Sequence, residues 1–220
     1  MEIILNDKSI SFQIQYTKAS KFNLDFSPEG LITLKAPKKS TLEEINAFMK
    51  SNSKAILKFE ERMSNRTYLS SVKTYESDEN FLFLGKVHKL SDLLSELPAT
   101  PATEDEAQEA LKKFYTAKTK EIITERLAIY EPIIQVKAKS FTIVDSPATW
   151  GTCNSKKQLT FNYKLSMARL SAIDYVVIHE LCHIMHLNHD RSFWRKVGMY
   201  DKDYKMHQDY LARFGAFMTI

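Results

Sequence analysis

Two histidines with a glutamate between them, His179, Glu180 and His183, have a spacing that suits metal chemistry. Because residues four apart lie on one face of an α-helix, both imidazoles can reach one metal ion from successive turns. Glu180 then lies beside the metal, free to take a proton from water. This H-E-x-x-H spacing is typical of zinc sites that leave one coordination position for water. It predicts hydrolysis by an activated water molecule.

A zinc site of this kind needs a third protein ligand, and the next histidines are His186 and His189. His186 lies roughly 10 Å along a continuous helix from His179, because each residue adds about 1.5 Å. One ion with bonds of about 2 Å cannot contact both. If the helix ends near Leu187 and Asn188 adopts a left-handed conformation, the chain reverses and brings His189 back. We therefore predict His189 as the third ligand of a Zn²⁺ ion.

The chain around the motif favours a buried helix. Between Leu170 and Leu187 it contains no Pro or Gly, and it carries apolar residues at helical spacing. A buried pair of histidines without a metal is the alternative interpretation. The cysteines are Cys153 and Cys182, and Cys182 lies about 100° round the helix from each histidine, which favours a packed thiol over a ligand. Cys153 either packs or lines the site.

The segments before the motif predict a sheet and a long helix that position it. Apolar and polar residues alternate at 141–144 and 159–163, which indicates strands on either side of the loop around Trp150. Trp150 either lines the cleft or belongs to the core. A long amphipathic helix begins after its capping residue Thr103 and ends at Pro132. We expect this helix to pack against the zinc helix.

The whole chain is predicted to have an α+β fold with two domains. Residues 1–97 form a β-rich N-terminal domain with one helix, which opens at the capping box of Thr41 and Glu44. Residues 98–103 contain two prolines and lack periodicity, which is typical of an exposed linker. Residues 104–220 form the second domain, which carries the motif.

Three segments carry a resemblance to a known family. They are Thr149-Trp150-Gly151-Thr152-Cys153, the run from Asp174 to His183, and Asn188-His189-Asp190-Arg191-Ser192-Phe193-Trp194. On these residues the chain resembles the YgjP-like metallopeptidases, relatives of the SprT-like and WLM proteases within the zincins. It departs from them at Thr149 and Thr152, where such proteins often carry Arg and Ser.

The resemblance implies a zincin-like metallopeptidase domain, in which the active-site helix packs under a small sheet. It implies that His179, His183 and His189 are the metal ligands and that Glu180 is the catalytic base. The expected substrate is a protein or peptide, which can pair with the edge strand of that sheet.

Other side chains near the motif have less specific signals. Asp190 is a candidate for orienting the imidazoles by a hydrogen bond. Tyr204, His207 and Tyr210 lie in a C-terminal stretch with helical pattern. One of them stabilises the oxyanion, or all three are ordinary surface or core residues.

Composition and charge leave one competing class of function. The net charge is +4, and from Ala107 onward 17 basic residues stand against 11 acidic ones. A basic face favours nucleic acid, either as the partner of a non-catalytic zinc module or as a cue for a protease that acts on DNA-associated proteins. A structural zinc site needs no adjacent glutamate, so Glu180 argues against the module. The N-terminus lacks a signal-peptide pattern and no apolar run has membrane length, from which we expect a soluble cytoplasmic protein with no membrane partner.

Overall fold

The computed structural model describes residues 1–27, 30–64, 73–95 and 101–220. The chain divides into an N-terminal unit, Met1–Thr67, and a C-terminal unit, Tyr68–Ile220. Both units combine helices with small sheets, in agreement with the predicted α+β class. Within the described ranges, no helix combines the length and apolar character needed to cross a membrane.

The N-terminal unit packs strands and helices around an apolar core. Its elements are β1 (Glu2–Leu5), β2 (Lys8–Ser11), β3 (Gln13–Thr17), β4 (Asn23–Phe26), β5 (Ile32–Pro37), α1 (Leu42–Ser51) and α2 (Ser53–Ser64). β1 and β2 form an antiparallel hairpin, while β5 pairs in parallel with β3 and antiparallel with β4. Ile32, Leu34 and Ala36 are all buried because alternate side chains of a strand share one face. Ile45 and Met49 of α1 belong to the same core.

The predicted single helix of this unit is divided in two. Its capping box is present: Glu44 N–H donates to Thr41 Oγ1 at 3.2 Å, and Thr41 N–H donates to Glu44 Oε2 at 2.8 Å. Helix α1 ends at Ser51, and Asn52 directs both its backbone N–H (3.2 Å) and its Nδ2 (2.9 Å) to the Phe48 carbonyl. An asparagine side chain competes with the helix for that carbonyl, which apolar periodicity alone does not reveal.

The C-terminal unit holds a small sheet covered by helices. Its elements are β6 (Asn80–Phe83), β7 (Lys86–Lys89), α3 (Leu90–Leu94), α4 (Glu104–Ile134), β8 (Ser140–Val144), β9 (Gly151–Cys153), β10 (Gln158–Asn162), a 3₁₀ helix (Tyr163–Met167), α5 (Leu170–His183), α6 (Arg191–Tyr200), α7 (Tyr204–Phe214) and a 3₁₀ turn (Gly215–Phe217). β10 lies between β8, which is parallel to it, and β9, which is antiparallel. Strand β9 therefore forms an edge of this sheet, and it lies against α5.

Helix α4 supports the helix that carries the motif, as predicted. Thr103 caps it by accepting a hydrogen bond from Glu106 N–H at 3.2 Å. Arg126 on α4 donates from Nη2 to Asp174 Oδ2 on α5 at 3.0 Å, which ties the two helices together. The predicted end at Pro132 is wrong, since the helix continues to Ile134. The last turn is held by the buried Ile134, and it ends where the following residue turns left-handed.

The division between units differs from the predicted linker at 98–103. Residues 98–100 lie outside the described part of the chain, and 101–103 lead directly into α4. The hairpin of β6 and β7 belongs to the C-terminal unit, because Leu84 N–H donates to the Ser166 carbonyl at 2.8 Å and Gly85 N–H donates to the Met167 carbonyl at 3.0 Å. These bonds join residues more than 80 positions apart, a pairing that linker composition does not reveal.

Candidate metal centre

Helix α5 and the turn after it bring three histidines to one point. Nε2 of His189 lies 3.0 Å from Nε2 of His179 and 3.1 Å from Nε2 of His183, and the last two atoms are 3.1 Å apart. His179 and His183 face the same side of α5, as their spacing predicts. The structure thus places His189, rather than His186, beside the pair.

The three Nε2 atoms cannot all be satisfied by hydrogen bonds with one another. Each ring nitrogen of a neutral imidazole is either a donor or an acceptor, so at least one of the three pairs must join like partners. A cation that accepts all three lone pairs removes this conflict. In a tetrahedral zinc site with bonds of about 2.0–2.1 Å, two ligand nitrogens lie about 3.4 Å apart. The arrangement therefore suits a zinc-sized divalent ion with one further coordination position.

Hydrogen bonds at Nδ1 orient two of the rings. Nδ1 of His183 lies 2.8 Å from the His186 carbonyl, which can only accept, so Nδ1 carries the proton and Nε2 keeps its lone pair. Nδ1 of His179 lies 3.3 Å from the Tyr175 hydroxyl. Burial, reinforced by the two neighbouring histidines, lowers the pKa of His179 to about 3. Burial also lowers the pKa of His183. Both imidazoles are therefore neutral and available to a metal at pH 7.

Asp190 does not orient the imidazoles in the described structure. Its carboxylate accepts from Phe193 N–H at 2.9 Å and from Ser192 Oγ at 2.6 Å, and so caps the N-terminus of α6. Ser192 Oγ in turn lies 3.2 Å from Nδ1 of His186. The orienting partners found instead are a tyrosine hydroxyl and a backbone carbonyl. The first could have been foreseen, because Tyr175 precedes His179 by four residues on the same helical face.

The turn that returns His189 differs from the predicted one. Helix α5 ends at His183 rather than near Leu187, and Asn188 does not adopt a left-handed conformation. The backbone N–H groups of residues 184–186 donate to the carbonyls of Leu181 and Cys182, which tightens the chain directly after the second histidine. The hydrogen bond from Nδ1 of His183 to the His186 carbonyl then holds the chain in its reversed direction. The His183 side chain thus helps to end the helix. The usual turn-forming residues, Gly, Asn and Pro, do not indicate such an end in the sequence.

Aromatic residues of α6 pack against the cluster. The ring centroid of Phe193 lies 4.8, 4.3 and 4.9 Å from those of His179, His183 and His189, respectively. Trp194 stacks on His189 with centroids 5.6 Å apart. Helix α6 therefore lies against the three imidazole rings, and it restricts how far they can move.

Glu180 lies beside the histidines in an unusual environment. Its side chain is only 4% exposed, and its Oε2 atom has no hydrogen-bond partner among the described residues. Burial raises its pKa to about 8. Strand β9 approaches it closely, since a Cβ added to Gly151 would lie 2.8 Å from Glu180 Oε1. A buried carboxylate without a partner costs free energy, so its position indicates a use other than stability.

A cavity of about 320 Å³ opens next to this carboxylate. It lies between α5, the start of β9 and α7, and it reaches both His179 and Glu180. Trp150 lines it, with its ring held against Gly215, where an added Cβ would meet the indole Cζ2 at 2.7 Å. Trp150 was predicted either to line the cleft or to belong to the core, and the structure shows that it lines the cleft. Cys153 lies outside this lining; its thiol is 3.6 Å from the Asn154 carbonyl, and burial, reinforced by the charge of Glu180, raises its pKa to about 11.

The three residues considered for oxyanion stabilisation are engaged elsewhere. Tyr204 stacks on Trp194 with ring centroids 5.3 Å apart. His207 Nδ1 lies 2.8 Å from Asp201 Oδ2. The Tyr210 hydroxyl accepts from a backbone N–H at 3.4 Å. None of the three lines the cavity, whereas Gln208 of the same helix does.

Comparison with known proteins identifies one family for the chain. The family described as "YgjP-like, metallopeptidase domain" matches the chain over residues 20–214, which include the three histidines and Glu180. No curated protein and no solved structure matches the chain. The resemblance carried by the sequence motifs is thereby confirmed. The chain belongs to the YgjP-like family of metallopeptidases.

Proposed function

We propose that the chain is a zinc-dependent metallopeptidase of the H-E-x-x-H type with a zincin-like arrangement. His179, His183 and His189 would hold the ion, and Glu180 would act as general base. The observation that carries this proposal is the triangle of imidazole nitrogens, 3.0–3.1 Å apart, beside a buried carboxylate. When bound there, zinc would supply a water of lowered pKa and would polarise the carbonyl that is attacked.

The protein's own contribution to the reaction is the movement of a proton. Glu180 takes the proton from the attacking water and returns it to the leaving amine. Oε2 of Glu180 has no hydrogen-bond partner among the described residues, so this oxygen is available to accept the proton. The amide bond is then broken without a covalent bond between substrate and protein.

Strand β9 offers a place for the backbone of an extended substrate. Among the described strands it pairs with β10 alone, and it begins at Gly151, next to Glu180. A peptide added to its free edge would gain backbone hydrogen bonds that require no particular side chains. A protein or peptide is therefore the substrate that fits this edge.

A purely structural zinc site fits the geometry less well. Such sites use four protein ligands, often cysteines. In the described part of the chain, the metal-binding group consists of three histidines, and neither cysteine belongs to it. An ion held by these three histidines would still be able to bind water beside the Glu180 carboxylate.

The proposal is tested by zinc analysis combined with cleavage of an unfolded protein such as casein. Purified protein should hold about one zinc per chain and cut casein. A chelator should abolish cleavage, and added zinc should restore it. Zinc-loaded protein that cuts no faster than its Glu180→Gln variant would contradict the proposal.

Replacing Gly151 with Ala should separate zinc binding from catalysis. The new Cβ would lie 2.8 Å from Glu180 Oε1, so the carboxylate must move. A shift of the carboxylate by about 1 Å should lower cleavage by on the order of 10²-fold, while zinc content stays unchanged. Gly198→Ala is the matched control, because a Cβ at that position meets Tyr204 at an ordinary 3.5 Å. Equal cleavage rates for the Gly151 variant and wild type would show that β9 does not position Glu180.

The charge of the C-terminal unit bears on the nucleic-acid alternative. Residues 68–106 contain three basic and eight acidic residues, and residues 107–220 contain 17 basic and 11 acidic ones. The C-terminal unit therefore carries 20 basic and 19 acidic residues. Some basic residues are also paired within the fold; Lys112 Nζ, for example, lies 2.6 Å from Asp145 Oδ2. The predicted basic excess is thus nearly neutralised once the hairpin of β6 and β7 is assigned to this unit.

We therefore expect weak DNA binding and little stimulation of proteolysis by DNA. Binding to single- and double-stranded DNA is measured from about 50 mM salt upward, where electrostatic contacts are strongest. Lys156→Glu combined with Lys157→Glu serves as the comparison, with zinc content as its control. DNA-stimulated cleavage that this double variant loses would instead support a protease guided by nucleic acid.

A further inference from the structure

We infer that the cavity beside Glu180 binds one large apolar side chain of the substrate, at a residue adjoining the scissile bond. This inference rests on the proposed peptidase function and adds a substrate preference to it. The cavity shares His179 and Glu180 with the metal centre, so a side chain that fills it belongs to a residue at the point of cleavage. Its volume of about 320 Å³ lies at the lower end of ligand pockets, roughly 300–1,000 Å³, as expected for a single side chain.

The walls of the cavity are mainly apolar and come from separate elements. Val176 on α5 and Leu211 on α7 are both buried, with 3% and 4% of their surface exposed. Trp150 forms a third wall, and its contact with Gly215 fixes the position of the ring. Such surfaces stabilise a Leu, Met or Phe side chain by removing it from water.

The lining of the cavity disfavours a charged side chain of the substrate. Apart from Glu180 and His179, which belong to the metal centre, the described residues that line the cavity include no Asp, Glu, Lys, Arg or further His. A charged group that is buried without a partner is strongly unfavourable, because it loses its hydration and gains no compensating contact. An Asp at the same substrate position would in addition face the Glu180 carboxylate. Polar groups are confined to side chains such as Thr149 and Gln208, both exposed.

Ala212 is the residue through which this pocket can be tested. It lines the cavity from α7 and is exposed, so a larger side chain there fills the space without disturbing the core. Ala212→Phe should therefore exclude a large substrate side chain. Ala128→Phe, the same change at an exposed position of α4 outside the lining, is the matched control.

The experiment uses peptides that differ at one residue only, with Leu, Phe, Ala, Asp or Lys there, and mass spectrometry to locate each cut. Wild type should cut beside Leu and Phe with kcat/KM roughly tenfold or more above Ala, and least beside Asp. Ala212→Phe should lose the preference for Leu and Phe and retain cleavage beside Ala, whereas Ala128→Phe should behave as wild type. Equal cleavage of all peptides, or a preference that Ala212→Phe leaves unchanged, would overturn the pocket and leave the peptidase proposal standing.

A binding measurement separates the two proposals further. Zinc-loaded Glu180→Gln protein should bind the Leu peptide more tightly than the Asp peptide in calorimetric titration, and the additional Ala212→Phe change should remove that difference. If wild type cuts no peptide while this discrimination is present, the pocket stands and the peptidase proposal falls. Absence of any discrimination would overturn the pocket whatever the cleavage result.

Discussion

Replacing His189 with Ala should remove most of the zinc from the protein, whereas replacing His186 with Ala should leave the zinc content near that of wild type. Nε2 of His189 lies 3.0–3.1 Å from the corresponding atoms of His179 and His183, so its loss leaves two protein ligands. His186 instead directs Nδ1 to Ser192 Oγ, and only its backbone carbonyl serves the site. An alanine keeps that carbonyl. Zinc is measured per chain by elemental analysis after dialysis.

His183→Ala is the positive control for this pair and should lose zinc as His189→Ala does. Circular dichroism of the zinc-free proteins checks that each variant retains its helices. Equal zinc loss in the His186 and His189 variants, or loss in the His186 variant alone, would show that the triangle of Nε2 atoms is not the metal site.

Replacing Glu180 with Gln should abolish most hydrolysis while zinc remains bound. Glutamine keeps nearly the same shape but cannot accept a proton, so cleavage of casein should fall by a factor on the order of 10² to 10⁴. Zinc content should stay at about one per chain, because the three histidines do not depend on this side chain for their mutual positions. The fold should tolerate the change, since Oε2 of Glu180 has no hydrogen-bond partner among the described residues.

Replacement also removes a buried carboxylate, so the variant should unfold at a temperature no lower than wild type does. Burial raises the pKa of Glu180 to about 8, above its ordinary value. A raised carboxyl pKa means that folding disfavours the charged form, so this group lowers stability as pH rises from the ordinary value toward 8. Hydrolysis that persists in the zinc-loaded variant would mean that another group acts as base.

Several features of the site follow from spacing along the chain alone. Residues four apart on a helix share a face, so His179 and His183 had to point together once the helix formed, with Glu180 beside them. His189 was selected because a continuous helix carries His186 too far from His179, and that argument depends only on the helical rise. The strands β8 and β10 and the long helix α4 likewise follow from local periodicity.

The tertiary structure decided what depends on contacts between distant residues. The end of α5 depends on a bond from His183 to the next turn, so the predicted left-handed Asn188 was not needed. The division near Thr67 depends on the pairing of the hairpin of β6 and β7 with residues 166 and 167. The approach of Gly151 to Glu180 joins residues 29 positions apart, and the cavity is lined by residues up to 63 positions apart, from Thr149 to Ala212. Periodicity reports which face of an element is buried, but it does not report which other element covers that face.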